Sequence, residues 1–380
     1  MIVRVIVFLI GVLSTHFALG AKYFVGLDDS TTLVLDENTQ VLESYKHLNV
    51  FIVESKTKPD VKNAKFVTRF TTVDISQKSK EVNSSNEVFV EKGLTWGQQY
   101  IKAPQVWGIT EGRGSRVLVI DSGIDKDHPE VKNKIAKAKD FTKSKVSPYH
   151  PYPEHDISGH GTHVAATIIG DWFGVAPDAQ LYVARACEFL CLDQSAIVAA
   201  LDWAIEEKVD VINMSLGSKE FPLELANHIY GKVEKNNIVV VSSVGNDGKK
   251  EGNQIGIPAR LETVIAVGAI DSEGNVPEFS SFGPEVFITA PGVNVLSASL
   301  TKGINKRDNL MIMKDGTSMA SPHVAGVVAL MKSVNKELSP AEIRSYLAQT
   351  AVQPKENFDR DKYGAGILDA EAAISILHAW

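Results

Sequence analysis

Cysteine is nearly absent from this chain: 380 residues carry only Cys187 and Cys191. That excludes a disulfide-stapled scaffold. In extended backbone, residues four apart have Cα atoms roughly 13 Å apart, beyond the reach of a disulfide. A Cys187–Cys191 bridge therefore requires a tight turn. The alternative, two thiols packed as small hydrophobes, stays open. An excess of basic residues is also missing, with 39 Lys+Arg against 46 Asp+Glu and a net charge of −7. This argues against a nucleic-acid partner. Internal repeats and low-complexity tracts are absent, which excludes solenoids. Long apolar runs are missing as well. The first one, "VIVFLIGVL" (Val5 to Leu13), is broken by Ser14, Thr15 and His16, well short of the ~20 residues of a membrane span. With Arg4 before it and "ALG" (Ala18 to Gly20) after it, residues 1–20 read as an export signal. The expected location is secreted, with no membrane attachment after signal removal.

What is present divides into two parts. Residues 21–92 hold strand-like runs, "KYFVGL", "TTLVLD", "LNVFIVES" and "AKFVTRFTTVDI", with helical spacing in "ENTQVLESYKH". They predict a small α+β domain with an antiparallel sheet. It ends in the polar stretch Ser76 to Glu87, an expected linker holding the sequon Asn83-Ser84-Ser85. The sequon at Asn213 has an apolar flank that points to burial. From Gly93 to Trp380 apolar runs such as "RVLVID", "VDVINMSLG" and "NIVVVSSVG" alternate with helical segments. Such runs predict an α/β domain, a mostly parallel sheet between two helix layers. Ligands then bind at the carboxyl ends of the strands.

Several polar residues fall at those ends. Asp121 stands where "RVLVI" stops; a turn or helix cap is the ordinary use of such a residue. His160 lies between Gly159 and Gly161, which permit close backbone approach. His160 and His163 are three apart with no Glu between them, which departs from the H-E-x-x-H zinc pattern. His163, one turn into an apolar segment, is expected to be a hydrogen-bonded core histidine. Asn246 precedes "DG" and is either a turn residue or an amide donor to an oxyanion. Ser318 in "KDGTSMASPHVAG" sits at the mouth of a helix, where a serine is commonly a cap. Free N–H groups and the positive dipole end also gather there. Pro322 is expected near the first turn. The order Asp, His, Asn, Ser excludes the α/β-hydrolase and chymotrypsin orders.

Together, "VIDSGID", "GHGTHVA", "SVGNDG" and "GTSMASPHVAG" resemble the four motifs of subtilisin-like serine proteases, and the likeness runs from about Trp96 to Leu368. The resemblance implies a serine endopeptidase with a Ser318–His160–Asp121 triad and an oxyanion hole from Asn246. Ser215, Leu216 and Gly217 are implied as the substrate-binding edge. Residues 21–92 more weakly resemble an inhibitory propeptide, whose end near Glu87 to Gly93 is expected across the active site before self-cleavage. Retention of all three triad residues and Asn246 argues against a non-catalytic scaffold. The expected partners are protein or peptide substrates and the chain's own propeptide; a monomer is expected.

Departures from the family pattern are also visible. The insertion that holds a tight calcium is reduced to "DW" between "AATIIG" and "FGVAP". Phe287 takes the place of an Asp used at a second calcium site. No metal site and no cofactor for the chemistry are therefore predicted, although a calcium site of another kind stays open. Ala166 replaces a glycine of the His helix. "CEFLCLD" (Cys187 to Asp193) replaces a Gly-rich edge strand that flanks substrate. Asp247, beside the expected pocket, suggests tolerance of basic residues before the cut.

Overall fold

The computed structural model describes residues 21–378, apart from 29–30, 37, 62, 70–72, 75–79, 82–89, 92–93, 143–151, 189–190, 251–253, 302–309, 355 and 357. The export signal and the Asn83 sequon lie outside the described residues.

Seven strands form the central sheet: β5 (Arg116–Asp121), β6 (Ile135–Asp140), β7 (Gln180–Arg185), β8 (Val211–Met214), β9 (Val239–Ser243), β10 (Val264–Ile270) and β11 (Ile288–Pro291). Their spatial order is β6-β7-β5-β8-β9-β10-β11, and every pairing is parallel. This is the predicted α/β sheet. Both faces are covered, so successive residues of one strand enter different cores. Val117 and Val119 pack with helices α2 (His160–Ile169) and α5 (Thr317–Val334), whereas Leu118 and Ile120 pack with α3 (Gln194–Glu206) and α4 (Leu223–Lys235). The strand order reverses direction between β5 and β8. A crevice opens at such a switch point, beyond the carboxyl ends of the strands.

The N-terminal part is an antiparallel sheet of β1 (Ala21–Leu27), β2 (Thr39–Tyr45), β3 (Val50–Ser55) and β4 (Ala64–Arg69), in the order β2-β3-β1-β4. The helix expected over 37–47 is not there. Thr39–Tyr45 is a strand with alternating burial, ending on a buried Tyr45. Thr39, Val41 and Tyr45 favour a pleated surface, and that period of two prevails over the helical spacing. "TTLVLD" forms no strand, and only Leu33 of its apolar residues is fully buried. One face of the sheet, with Phe24, Ile52 and Phe66, packs on α3 and α4. The other face, with Val25, Phe51 and Val53, closes a separate small core.

Two short stretches then pair with the larger domain. Val73–Asp74 lies antiparallel to Cys191–Leu192, and Lys80–Glu81 lies antiparallel to Lys314–Asp315, just ahead of Ser318. Of the stretch Glu87 to Gly93, Val90–Glu91 pairs with Leu94–Thr95, and the other residues lie outside the described ones.

Candidate active site

Asp121 ends β5, and its Oδ1 accepts hydrogen bonds from Ser122 N–H (2.7 Å) and the His160 ring Nδ1 (2.8 Å). The carboxylate is buried, whereas 21% of the His160 side chain is exposed. This contact needs helix α2 to press against the end of β5. Gly161 permits it, because a Cβ there would lie 2.3 Å from the Gly123 carbonyl oxygen and 3.2 Å from Asp121 Cβ. Sequence reasoning passed over Asp156, four residues before His160. It is fully buried and accepts from Ser122 Oγ, Ser158 N–H, Gly159 N–H, and both N–H and Oγ1 of Thr162. Burial alone raises its carboxyl pKa, but these donors hold it below the ordinary range. Asp156 therefore fixes the mouth of α2 as an anion at a helix N-terminus. The signal was the "D-I-S-G" spacing, an Asp ahead of a glycine N-cap.

Ser318 is the second residue of α5, after the N-cap Gly316 with φ of 150°. Pro322 lies deeper than expected, inside the helix. Lacking an N–H, it leaves the Ser318 carbonyl without its helical donor. Ser215 Oγ supplies one at 2.8 Å. In return Ser318 Oγ donates to the Ser215 carbonyl (3.2 Å), rather than to the His160 ring. Catalytic hydrogen bonds are often looser without substrate, and rotation about one side-chain bond redirects this hydroxyl. Behind Ser215, Asn213 Nδ2 donates to Ser215 Oγ (3.0 Å) and Ser321 Oγ donates to Asn213 Oδ1 (2.7 Å). Asn213 is fully buried, as its sequence flank suggested.

Asn246 follows β9. Its Oδ1 accepts from Thr317 N–H (2.9 Å) and Thr317 Oγ1 (3.0 Å). A backbone N–H can only donate, so this pairing fixes the amide and turns Nδ2 toward the open side, near Gly316. Thr317, a second residue passed over, is itself held by Gly245 N–H (3.1 Å). Ser215, Leu216 and Gly217 continue from β8, and the adjacent Ser218 exchanges two backbone hydrogen bonds of 2.8 Å with Ile257.

The remaining candidates fall as follows. His163 is buried, with Nε2 3.0 Å from the Val295 carbonyl; burial and then Lys314 push its pKa well below the ordinary value. His323 is pushed down by burial to about 4. Cys187–Glu188 and Cys191–Leu192 form an antiparallel pair, with Cys187 opposite Leu192 and Glu188 opposite Cys191. In that pairing the two cysteines are one position out of opposition. The side chain of Cys191 lies outside the described residues. Asp247 is paired with Lys219 (3.1 Å) and Lys250 (2.5 Å), so its charge is already met. The basis for expecting basic side chains there is therefore removed.

A buried carboxylate beside an imidazole, a serine at a helix mouth and an amide locked with its N–H₂ outward share one sheet edge. This is the equipment of acyl transfer by a serine nucleophile. A family model, the subtilase family, matches residues 112–366. The chain belongs to the subtilase family and is a serine endopeptidase with the subtilisin-like fold. It is 37% identical over 304 residues to a thermostable alkaline protease of Halalkalibacterium halodurans, covering 77% of each chain. Against subtilisin E of Bacillus subtilis it is 37% identical over 291 residues, covering 74% of this chain and 71% of that one. Among solved structures, fervidolysin of Fervidobacterium pennivorans, a keratinolytic enzyme related to subtilisin, shares the fold. The TM-score is 0.74 at 22% identity, over 96% of this chain and 62% of the other.

Proposed function

We propose that the chain is a secreted, monomeric serine endopeptidase made as a self-processing zymogen. Residues 1–20 serve as export signal, 21–92 as inhibitory propeptide and 93–380 as catalytic domain. The observation that carries the chemistry is the 2.8 Å contact of His160 Nδ1 with Asp121 Oδ1 beside the mouth of α5. With Nδ1–H donated to the carboxylate, Nε2 is left as the base. Ser318 Oγ attacks the peptide carbonyl carbon, a C–O bond forms, and the Oγ proton passes to His160 Nε2. Charge gathers on the former carbonyl oxygen, within reach of Asn246 Nδ2–H and the Ser318 N–H. As the tetrahedral intermediate collapses the C–N bond breaks, and His160 returns the proton to the leaving amine. Water then repeats the sequence on the acyl-enzyme. Asp121 holds the imidazole and stabilises its cationic form without taking the proton. Ser215, Leu216 and Gly217 bind the substrate backbone. No cofactor is needed.

The zymogen reading is supported by the two paired stretches, Val73–Asp74 on Cys191–Leu192 and Lys80–Glu81 on Lys314–Asp315. Each adds a short antiparallel strand to the larger domain, the pairing mode of an extended substrate. The cut is therefore expected between Asp74 and the boundary near residue 92. Export rests on the leader sequence, and no described helix is long and apolar enough to cross a membrane. The test is Ser318→Ala. The substituted chain should remain an unprocessed precursor and take up no fluorophosphonate. Normal processing of that chain, with the probe still attached, would sink the assignment. N-terminal sequencing of the processed wild type locates the cut.

A further inference from the structure

The family resemblance puts calcium at two places, and the residues found at both can be tested as cation ligands. At the second, Phe287 offers an aromatic ring, and the Arg344 guanidinium stacks over it at 4.5 Å. A cation with a hard oxygen shell does not fit there. At the first, the turn 170–174 follows helix α2, and two buried side chains grip it. Gln98 Nε2 donates to the carbonyls of Trp172 (3.1 Å) and Gly174 (2.9 Å). Its amide orientation is fixed, because Gln98 Oε1 accepts the backbone N–H of Thr95 (2.9 Å). From the other side Glu130 Oε2 accepts the N–H groups of Trp172 (2.8 Å) and Phe173 (3.4 Å). Gly170 leaves room for that carboxylate, since a Cβ there would lie 2.7 Å from Glu130 Oε2. Lys134 adds an ion pair to Asp171 (2.7 Å).

The Trp172 and Gly174 carbonyls and Glu130 Oε2 are thus each engaged by an N–H. The carbonyls face an amide donor, and the carboxylate oxygen faces backbone donors. The polarity is opposite to that of a calcium site, where oxygens converge on a positive ion. We infer that Gln98 and Glu130 form a side-chain clasp that replaces a calcium ion. The clasp ties α1 (Trp96–Tyr100) and the loop after β5 to the far end of the His160 helix. It stabilises the catalytic domain without a cation at this corner. Burial raises the Glu130 carboxyl pKa against the pull of the Trp172 and Phe173 N–H groups. The two N–H groups of the clasp need an acceptor oxygen, which a neutral side-chain amide also offers. A calcium site needs the charge.

Calorimetric melting of the full chain carrying Ser318→Ala, which removes self-digestion, separates the two arrangements. The expected Tm is the same in calcium and in EDTA, within about 1 °C. Glu130→Ala and Gln98→Ala should each lower it by about 3–10 °C, the loss of hydrogen bonds made by buried side chains in a domain of this size. Glu130→Gln, which keeps an acceptor oxygen, should lose less than half as much as Glu130→Ala. The clasp is overturned if calcium raises Tm and either alanine substitution abolishes the rise. It is equally overturned if the alanine variants melt with the parent. A calcium effect that survives both substitutions belongs to a cation bound elsewhere, and leaves the clasp standing.

Discussion

The seven-stranded domain and the four-stranded N-terminal sheet sit against one another, yet they are held by different kinds of force. In the larger domain every sheet strand except the edge strand Ile135–Asp140 is buried on both faces, and several polar groups at the carboxyl ends are held in hydrogen-bond networks. Asp156, Thr317 and Asn213 each spend their hydrogen bonds on backbone or side chains that position another residue. The smaller sheet meets α3 and α4 through apolar residues edged by a few polar contacts. Tyr45 OH donates to the Ser195 carbonyl (3.3 Å), His47 and Leu48 N–H to Asp202 Oδ1 (2.7 and 3.1 Å), and His228 Nε2 lies 2.8 Å from the Leu48 carbonyl. A rigid, self-satisfied edge suits catalysis. A surface joined by a few separable contacts suits the release proposed for the N-terminal segment.

The catalytic edge should break most sharply at its preorganised donors. Asn246→Ala removes an amide already aimed by Thr317. It is expected to lower kcat by about 10²–10³-fold with KM little changed, measured on a peptide substrate. Loss of KM alone would remove Asn246 from the oxyanion role. Next in size is the pairing of Ser215 with Pro322. Ser215→Ala leaves the Ser318 carbonyl buried without a donor and should cost about 1–3 kcal/mol of stability. In a Pro322→Ala background the new N–H can reach that carbonyl, so the same substitution should cost clearly less. Equal costs in both backgrounds would show that Ser215 does not stand in for the missing helical bond.

The same contrast governs what the sequence made legible. "RVLVI" and "IVVVSSVG" are apolar throughout, so a strand buried on both faces was the ready solution, and Asp121 and Asn246 had to emerge at its end. Ser318 and His160 were found because their flanking glycines mark helix mouths. In "ENTQVLESYKH" the apolar residues satisfied both periods at once. Pairing with β3 and the packing of Tyr45 on α3 select the strand, and that helix lies about 150 residues away. Asp156 and Thr317 were passed over for a related reason. Each looks like an ordinary turn or cap residue until the group it orients is brought against it. The clasp of Gln98 and Glu130 joins three separate stretches of chain, and nothing local announces it.

The docking surface should respond to acid. Burial lowers the pKa of His228; the Leu48 carbonyl and Asp28 oppose this, while Lys65 and Lys235 add to it. Phe66 packs edge-on against the ring at 5.3 Å between centroids. With the docked pKa below the ordinary 6.5, docking is at full strength above that pH and weakens as the pH falls below it. Inhibition by the N-terminal segment, measured across this range, is expected to loosen several-fold. Asp202 has its carboxyl pKa raised by burial against the His47 and Leu48 donors, so its protonation at lower pH works in the opposite sense and favours docking. His228→Gln should therefore flatten the upper part of the profile and leave the lower part. An unchanged profile would show that the surface is held by its apolar residues alone.

The smallest expected effect lies at the rim, where the two means of holding structure meet. Lys219 follows the Ser215–Gly217 edge, and Asp247 follows Asn246, so their 3.1 Å ion pair spans the two walls of the cleft. Burial alone raises the Asp247 carboxyl pKa, but Lys250 and Lys219 hold it below the ordinary value. Two ammonium groups on one carboxylate leave the rim with a net positive charge, which disfavours a basic side chain before the cut. Lys219→Ala with Lys250→Ala frees the carboxylate. The ratio of kcat/KM for a lysyl over a leucyl peptide should then rise a few-fold. Both lysines are largely solvated, with 42% and 62% of their side chains exposed, so the gain should shrink as salt is raised. A gain indifferent to salt would point to space opened at the rim rather than charge, and Lys219→Gln with Lys250→Gln, which keeps the bulk, would then show none of it.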